Sequence, residues 1–155
     1  MIEVKAPHKI PPKDASIPGQ KYLFLAGSIE SDTAAHWQDG VVEMLSNTDW
    51  IILNPRREHW DNSVEQNKDD PRFSEQVTWE LNAQEIADKI LMYFDPSTKS
   101  PISLLELGLF ESTHKMIVVC PEGFWRKGNV DIVCERYGVT QAGTIEEALK
   151  MLRQN

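Results

Sequence analysis

KYLFLAG, residues 21–27, is the stretch that decides the fold, because five apolar side chains in a row end on a glycine. A run this short, apolar on both alternating sides, suits a strand buried on both faces of a sheet. Ala34, Trp37, Val41, Val42 and Leu45 then recur at three- and four-residue spacing, which predicts a helix with Ser31 or Asp32 as its cap. The alternation continues along the chain. WIIL (50–53) reads as a second strand stopped by Asn54 and Pro55, and residues 76–87 as a helix with Val77, Leu81, Ala83, Ile86 and Ala87 as its apolar positions. KILMYF (89–94) and KMIVVC (115–120) read as further strands, and a helix opens at Pro101 between them. Residues 128–136 predict another helix, GVT (138–140) a short fifth strand, and 144–152 a closing helix in which Thr144 and Glu147 fit a capping box.

Strands alternating with helices predict an α/β flavodoxin-like three-layer sandwich, built on a five-stranded parallel sheet of order 2-1-3-4-5. Residues 1–20 hold four of the nine prolines and no apolar period, so they read as an extended arm before a single domain at 21–155. The polar loop at 54–73, which contains Trp60, is of a length usually tied to function or disorder.

Composition narrows the function. A chain of 155 residues, 41% hydrophobic, is large enough for one buried core. It has no apolar run near the ~20 residues of a membrane span, and no basic-then-apolar leader, so the expected compartment is cytoplasmic. The formal net charge of -8 argues against holding long nucleic acid through its phosphates. Basic pairs at Arg56 and Arg57, and at Arg126 and Lys127, leave room for a small anionic ligand or for two solvated surface pairs. Cys120 and Cys134 have no metal-ligand spacing and read as buried apolar residues. No HExxH, CxxC or paired histidine occurs, and His8, His36, His59 and His114 are scattered, so no metal or other cofactor is expected.

In open parallel sheets the ligand sits beyond the carboxyl ends of the strands, where strand order reverses. That crevice gathers Gly27 and Ser28, Asn54 to Arg57, Asp95 to Ser100, Pro121 to Asn129, and the start of the helix at Pro101. SPISLLELG (100–108) places Ser100 as a helix cap and sets Ser103 and Glu106 as a polar stripe among leucines that surround the helix axis. A carboxylate there is paired, faces a pocket, or is protonated. The structural alternative is an ion pair with Arg56, Arg57 or Lys115. Glu80, flanked by Val77, Trp79 and Leu81 in QVTWELNAQEIAD (76–88), is a second carboxylate that a crevice-facing helix brings near. Two carboxylates beside a sugar are the equipment for cleaving a glycosidic bond, one as nucleophile and one as proton donor. GSIES (27–31) is a small-residue loop whose amides suit an oxygen or a phosphate, a weak motif by itself.

FLAGSI, WELNAQEIAD, SPISLLELG and GNVDIVCERYG (128–138) together resemble the nucleoside 2-deoxyribosyltransferase-like family and the related deoxynucleoside 5'-monophosphate N-glycosidases. The resemblance covers residues 21–140. It implies that Glu106 attacks the anomeric carbon to form a covalent deoxyribosyl enzyme and that Glu80 assists the leaving base. It further implies that Phe24, Gly27, Ser28, Arg56 and Ser100 meet the substrate, while Asn129 reaches a neighbouring subunit's site in a homodimer or larger homo-oligomer. Transferases carry aspartate at the position of Ser100, a tyrosine near Phe24 and commonly aspartate in place of Glu80. Serine at 100 is closer to the monophosphate glycosidases. The expected ligand is a small nucleoside or nucleotide, with transfer to another base, hydrolysis, and a non-catalytic nucleotide-binding module as the three readings.

Overall fold

The computed structural model describes residues 1–13, 19–29, 35–59, 61 and 63–154. Six parallel strands form one sheet: β1 (Ile2–Lys5), β2 (Lys21–Gly27), β3 (Trp50–Asn54), β4 (Lys89–Tyr93), β5 (Met116–Val119) and β6 (Thr140–Ala142). Their spatial order is β1-β3-β2-β4-β5-β6. Without β1, this is the 2-1-3-4-5 order expected from the sequence. The sixth strand is a correction: the first residues of the proline-rich arm pair with β3, Ile2 opposite Ile51 and Lys5 opposite Asn54. IEVK is short and half polar, which suits an edge strand and hides it from a search for apolar runs.

The helices α1 (Trp37–Met44), α2 (Pro71–Ile86), α3 (Pro101–Phe110), α4 (Lys127–Tyr137) and α5 (Ile145–Gln154) cover both faces. Alternate residues of β2 divide the core between them. Leu23 and Leu25 join Trp37 and Val41 of α1, Leu45 just past its end, and Ala148, Leu149 and Leu152 of α5. Tyr22, Phe24 and Ala26 join Trp79 and Ala83 of α2, Leu107 and Phe110 of α3 and Val130 and Cys134 of α4. A strand covered on both faces needs apolar side chains on both, which is why KYLFLAG shows no polar alternation. Both cysteines are free and buried. No helix among the described residues is long and apolar enough to cross a membrane.

Several boundaries shift for local reasons. α2 starts five residues before the expected Gln76, because Asp70 accepts from the Arg72 amide and Pro71 takes the first helical position. Its buried face also differs: Gln76, Trp79, Ala83 and Gln84 are buried, while Val77 and Leu81 are 37% and 36% exposed. The fifth expected strand moves to 140–142, with Gly138 instead ending α4 in the left-handed conformation. α5 opens as expected, the Glu147 amide donating to Thr144 Oγ1 and the Glu147 carboxylate accepting from the Gly143 amide. Ser31, Asp32, Ala34 and Trp60, singled out in the sequence, lie outside the described residues.

The fold itself locates the crevice. From β2 the chain moves to β3 on one side, then returns across β2 to β4 on the other, so strand order reverses between β2 and β4. Those two strands end on Gly27 opposite Tyr93. Gly27 has φ +128, and a Cβ there would lie 2.1 Å from the Tyr93 carbonyl oxygen. Only glycine permits that closeness. The Ser28 amide then donates to the same carbonyl at 3.0 Å, fixing the loop that follows.

Candidate active site

α2 and α3 lie side by side on one face of the sheet, and each turns a polar stripe into the space between them. α3 contributes Ser103 and Glu106, both buried; α2 contributes Gln76, Glu80 and Gln84 at four-residue spacing. Gln84 Nε2 donates to Glu106 Oε1 at 2.7 Å, and Gln76 Nε2 donates to Glu80 Oε1 at 2.7 Å. Arg57, from the loop after β3, donates through Nε to Gln76 Oε1 and through Nη2 to Glu75 at 3.0 Å. The ion pair of Glu106 with Arg56, Arg57 or Lys115, the structural alternative, is not formed: Lys115 donates to the Glu85 carbonyl, and Glu106 meets an amide.

The electrostatics separate the two carboxylates. Burial, and then the charge on Glu80, push Glu106 up to about 8, while the Gln84 amide pulls the other way. Glu80 is also raised by burial, but the Gln76 amide and the Arg57 charge oppose that rise. A pair of this kind titrates as a unit. Glu106, raised to about 8, is the more proton-loving member and keeps its proton near neutral pH. Two electrostatically coupled carboxyl groups in a water-poor setting can attack an electrophilic carbon and supply a proton to its leaving group.

Beyond the dyad, the strand ends build a clasp of three buried hydroxyls. Ser28 Oγ lies 2.6 Å from Ser100 Oγ and 3.0 Å from Thr98 Oγ1, and Thr98 and Ser100 are 2.7 Å apart. Ser28 Oγ also accepts from the Asp95 amide at 2.8 Å. Ser100 is therefore no side-chain cap, as the sequence had suggested; it stands at φ 45 with its hydroxyl turned to Ser28 and Thr98. A serine in the left-handed region costs on the order of 1–3 kcal/mol, which the hydroxyl contacts offset. Asp95 accepts from the Ala35 amide and from Ser97, tying the start of α1 to the same corner.

The other expected site residues fall differently. Gly27 and Ser28 line the strand-order reversal, and Arg56 points at Gln38 Oε1 and the Ala35 carbonyl nearby. Phe24 is 1% exposed within the core, so it supports the crevice from below and has no surface to offer a ligand. Asn129 lies in an apolar groove of about 320 Å³ between α3 and α4, with Leu104, Leu107 and Val133, away from the α2 stripe that meets Glu106. The helix that the leucines of SPISLLELG were expected to bury on most sides instead exposes Ile102, Leu105 and Leu109 at 59%, 67% and 55%. Gln76 and Gln84 went unrecognised in the sequence, and Thr98 was reached only as part of the crevice stretch Asp95 to Ser100. The repeat of polar residues at 76, 80 and 84 was the available signal.

Comparison with known proteins places this arrangement. The solved CMP N-glycosidase of Clostridium botulinum is similar in fold, with a TM-score of 0.54 and 16% identity over 87% of this chain and 100% of that one. No curated protein matches. The family model described as nucleoside 2-deoxyribosyltransferase like matches residues 20–124, more than half of the chain, a span that holds the dyad and the hydroxyl clasp but ends before Asn129. The chain belongs to the nucleoside 2-deoxyribosyltransferase-like family.

Proposed function

We propose that the protein cleaves the N-glycosidic bond of 2'-deoxyribonucleosides, or of their monophosphates, by double displacement and transfers the sugar to a second base. The proton held on Glu106 passes to Glu80 as the substrate binds; Glu106, then ionised, attacks C1' of the sugar, and the bond to the base breaks as Glu80 delivers that proton to the leaving nitrogen. The product is an ester between the Glu106 carboxylate and C1'. A second base attacks C1', Glu80 takes back a proton, and Glu106 is released as carboxylate. The observation that carries this reading is the pair of carboxylates between α2 and α3, each held by a glutamine amide, with Glu106 pushed up to about 8 by burial and by the Glu80 charge. Gly27, and Ser28 of the clasp, would lie against the sugar or its phosphate.

Hydrolysis, with water in place of the second base, is the second reading. It draws on Ser100 within the hydroxyl clasp, and on the N-glycosidase activity named for the Clostridium protein of the same fold. A homodimer with shared sites is part of the proposal: Ile102, Leu105 and Leu109 of α3 and Ile132 of α4 stay exposed, and Asn129 borders the same face. The test is base release from the four 2'-deoxynucleosides, their 5'-monophosphates and CMP, with and without free adenine. New nucleoside marks transfer and free sugar marks hydrolysis. Glu106→Ala is expected to abolish both; wild-type rates in that variant would overturn the assignment.

A further inference from the structure

We propose that Gln76 and Gln84 are positioning residues that divide the roles of the dyad, Gln76 fixing Glu80 and Gln84 holding Glu106 through both of its protonation states. The inference rests on the assignment of Glu80 and Glu106 as the reacting pair. Both glutamines stand one helical turn from Glu80 on the same face of α2, yet their amides are tied in opposite ways.

Gln76 is committed at both ends. Its Oε1 accepts from Arg57 Nε, and its Nε2 donates to the Pro55 carbonyl at 2.9 Å and to Glu80 Oε1 at 2.7 Å. The amide cannot turn without losing all three contacts, so Glu80 always faces a donor. That setting favours the ionised form of Glu80.

Gln84 is committed at one end only. It is fully buried, and Nε2 donates to Glu106 Oε1 and, at 3.3 Å, to the Glu80 carbonyl. Its Oε1 is buried with no hydrogen-bond partner among the described residues. A buried acceptor without a partner is uncommon in native proteins and calls for an explanation. Turning the amide by half a revolution would bring Oε1 to Glu106, where it accepts the O–H of the protonated acid. As drawn, Nε2 donates to the carboxylate. Gln84 thus meets Glu106 in the ionised form needed for attack and in the protonated form of the resting pair, without a change in where the carboxyl stands. Among the described residues the charged groups that bear on the pair are Arg57, which acts on Glu80, Glu75, which pairs with Arg57, and the two carboxylates themselves.

The experiment compares Gln84→Met and Gln76→Met with the wild-type chain, using whichever substrate of the panel above is cleaved fastest. Gln84→Met is expected to lower kcat about tenfold or more with KM nearly unchanged, and to move the alkaline limb of kcat/KM up by about one pH unit, because that limb marks the loss of the proton the pair passes to the leaving base, and Glu106 without its donor keeps it to higher pH. Gln76→Met is expected to move the acid limb and leave the alkaline one. The melting temperature of Gln84→Met should hold or rise, since the unpaired acceptor leaves with the amide. A Gln84→Met or Gln84→Leu chain that unfolds, or that loses activity only in proportion to stability, makes the residue structural and overturns the proposal; so do limbs that coincide with the wild type. If Glu106→Gln remains active, the dyad assignment fails instead. The alkaline limb is also readable without turnover, as the pH at which stability stops falling, and Gln84→Met should shift that point upward.

Discussion

Replacing Glu106 by glutamine should make the protein more stable as well as inactive, and the gain should depend on pH. The carboxyl titrates at about 8 in the folded chain against 4.5 for the free group, raised first by burial and then by the Glu80 charge. A raised carboxyl contributes its full stability below 4.5 and loses it as pH rises toward the folded value, because the unfolded chain sheds its proton first. At ~1.4 kcal/mol per pH unit, the wild-type chain gives up on the order of 4–5 kcal/mol between pH 4.5 and 8.5, which Glu106→Gln retains. Relaxation around a buried charge reduces that figure, and at ~2–4 °C per kcal/mol for a chain of this size the variant should melt on the order of 10 °C higher at pH 8.5. Near pH 4.5 the two should melt together. Gln84 can still donate to the new side chain, so its contact with residue 106 is kept. Thermal unfolding followed by circular dichroism at both pH values reads the effect. A gap that is the same at both, or a variant less stable at pH 8.5, would refute the claim that this carboxyl is held against its preference for water.

Two other perturbations test the frame around the dyad. Gly27→Ala sets a Cβ against the Tyr93 carbonyl at a backbone angle alanine avoids, and should cost more than about 3 kcal/mol in urea unfolding, from strain plus the displaced β2–β4 ends; an unchanged midpoint would show that the loop gives way freely. Leu105→Glu, on the exposed face of α3, should turn an oligomer into monomers in sedimentation velocity and reduce base release, whereas a wild-type chain that is already monomeric and active rules out shared sites.

The four strands β2 to β5 were legible because each is short and apolar, so the sequence carries the signal at every position; β6 is polar and exposed at the other edge of the sheet, and its expected place at 138–140 fell two residues early. β1 was not legible, since an edge strand needs apolar residues on one face only and Glu3 faces outward to bond Asn54. The dyad was legible for the opposite reason: a glutamate among leucines is conspicuous. Its supports were not. Gln76 and Gln84 look like solvated helix residues until α3 is brought alongside, and Ser100 looks like a cap until Ser28, 72 residues earlier, arrives beside it. Exposure of Leu105 follows from which side of α3 meets the sheet, a fact of tertiary packing that the leucine pattern alone leaves open.

β1 has a further consequence. β3 is WIILN, buried at every residue, and among the described residues its outer backbone edge is closed by residues 2–5. Were those few residues trimmed away or displaced, an apolar, β-branched strand would present unpaired amides and carbonyls to any other copy of the chain. The four residues of β1, which open the proline arm, thus guard against self-templated aggregation, and a chain cut back to residue 21 is expected to lose soluble yield.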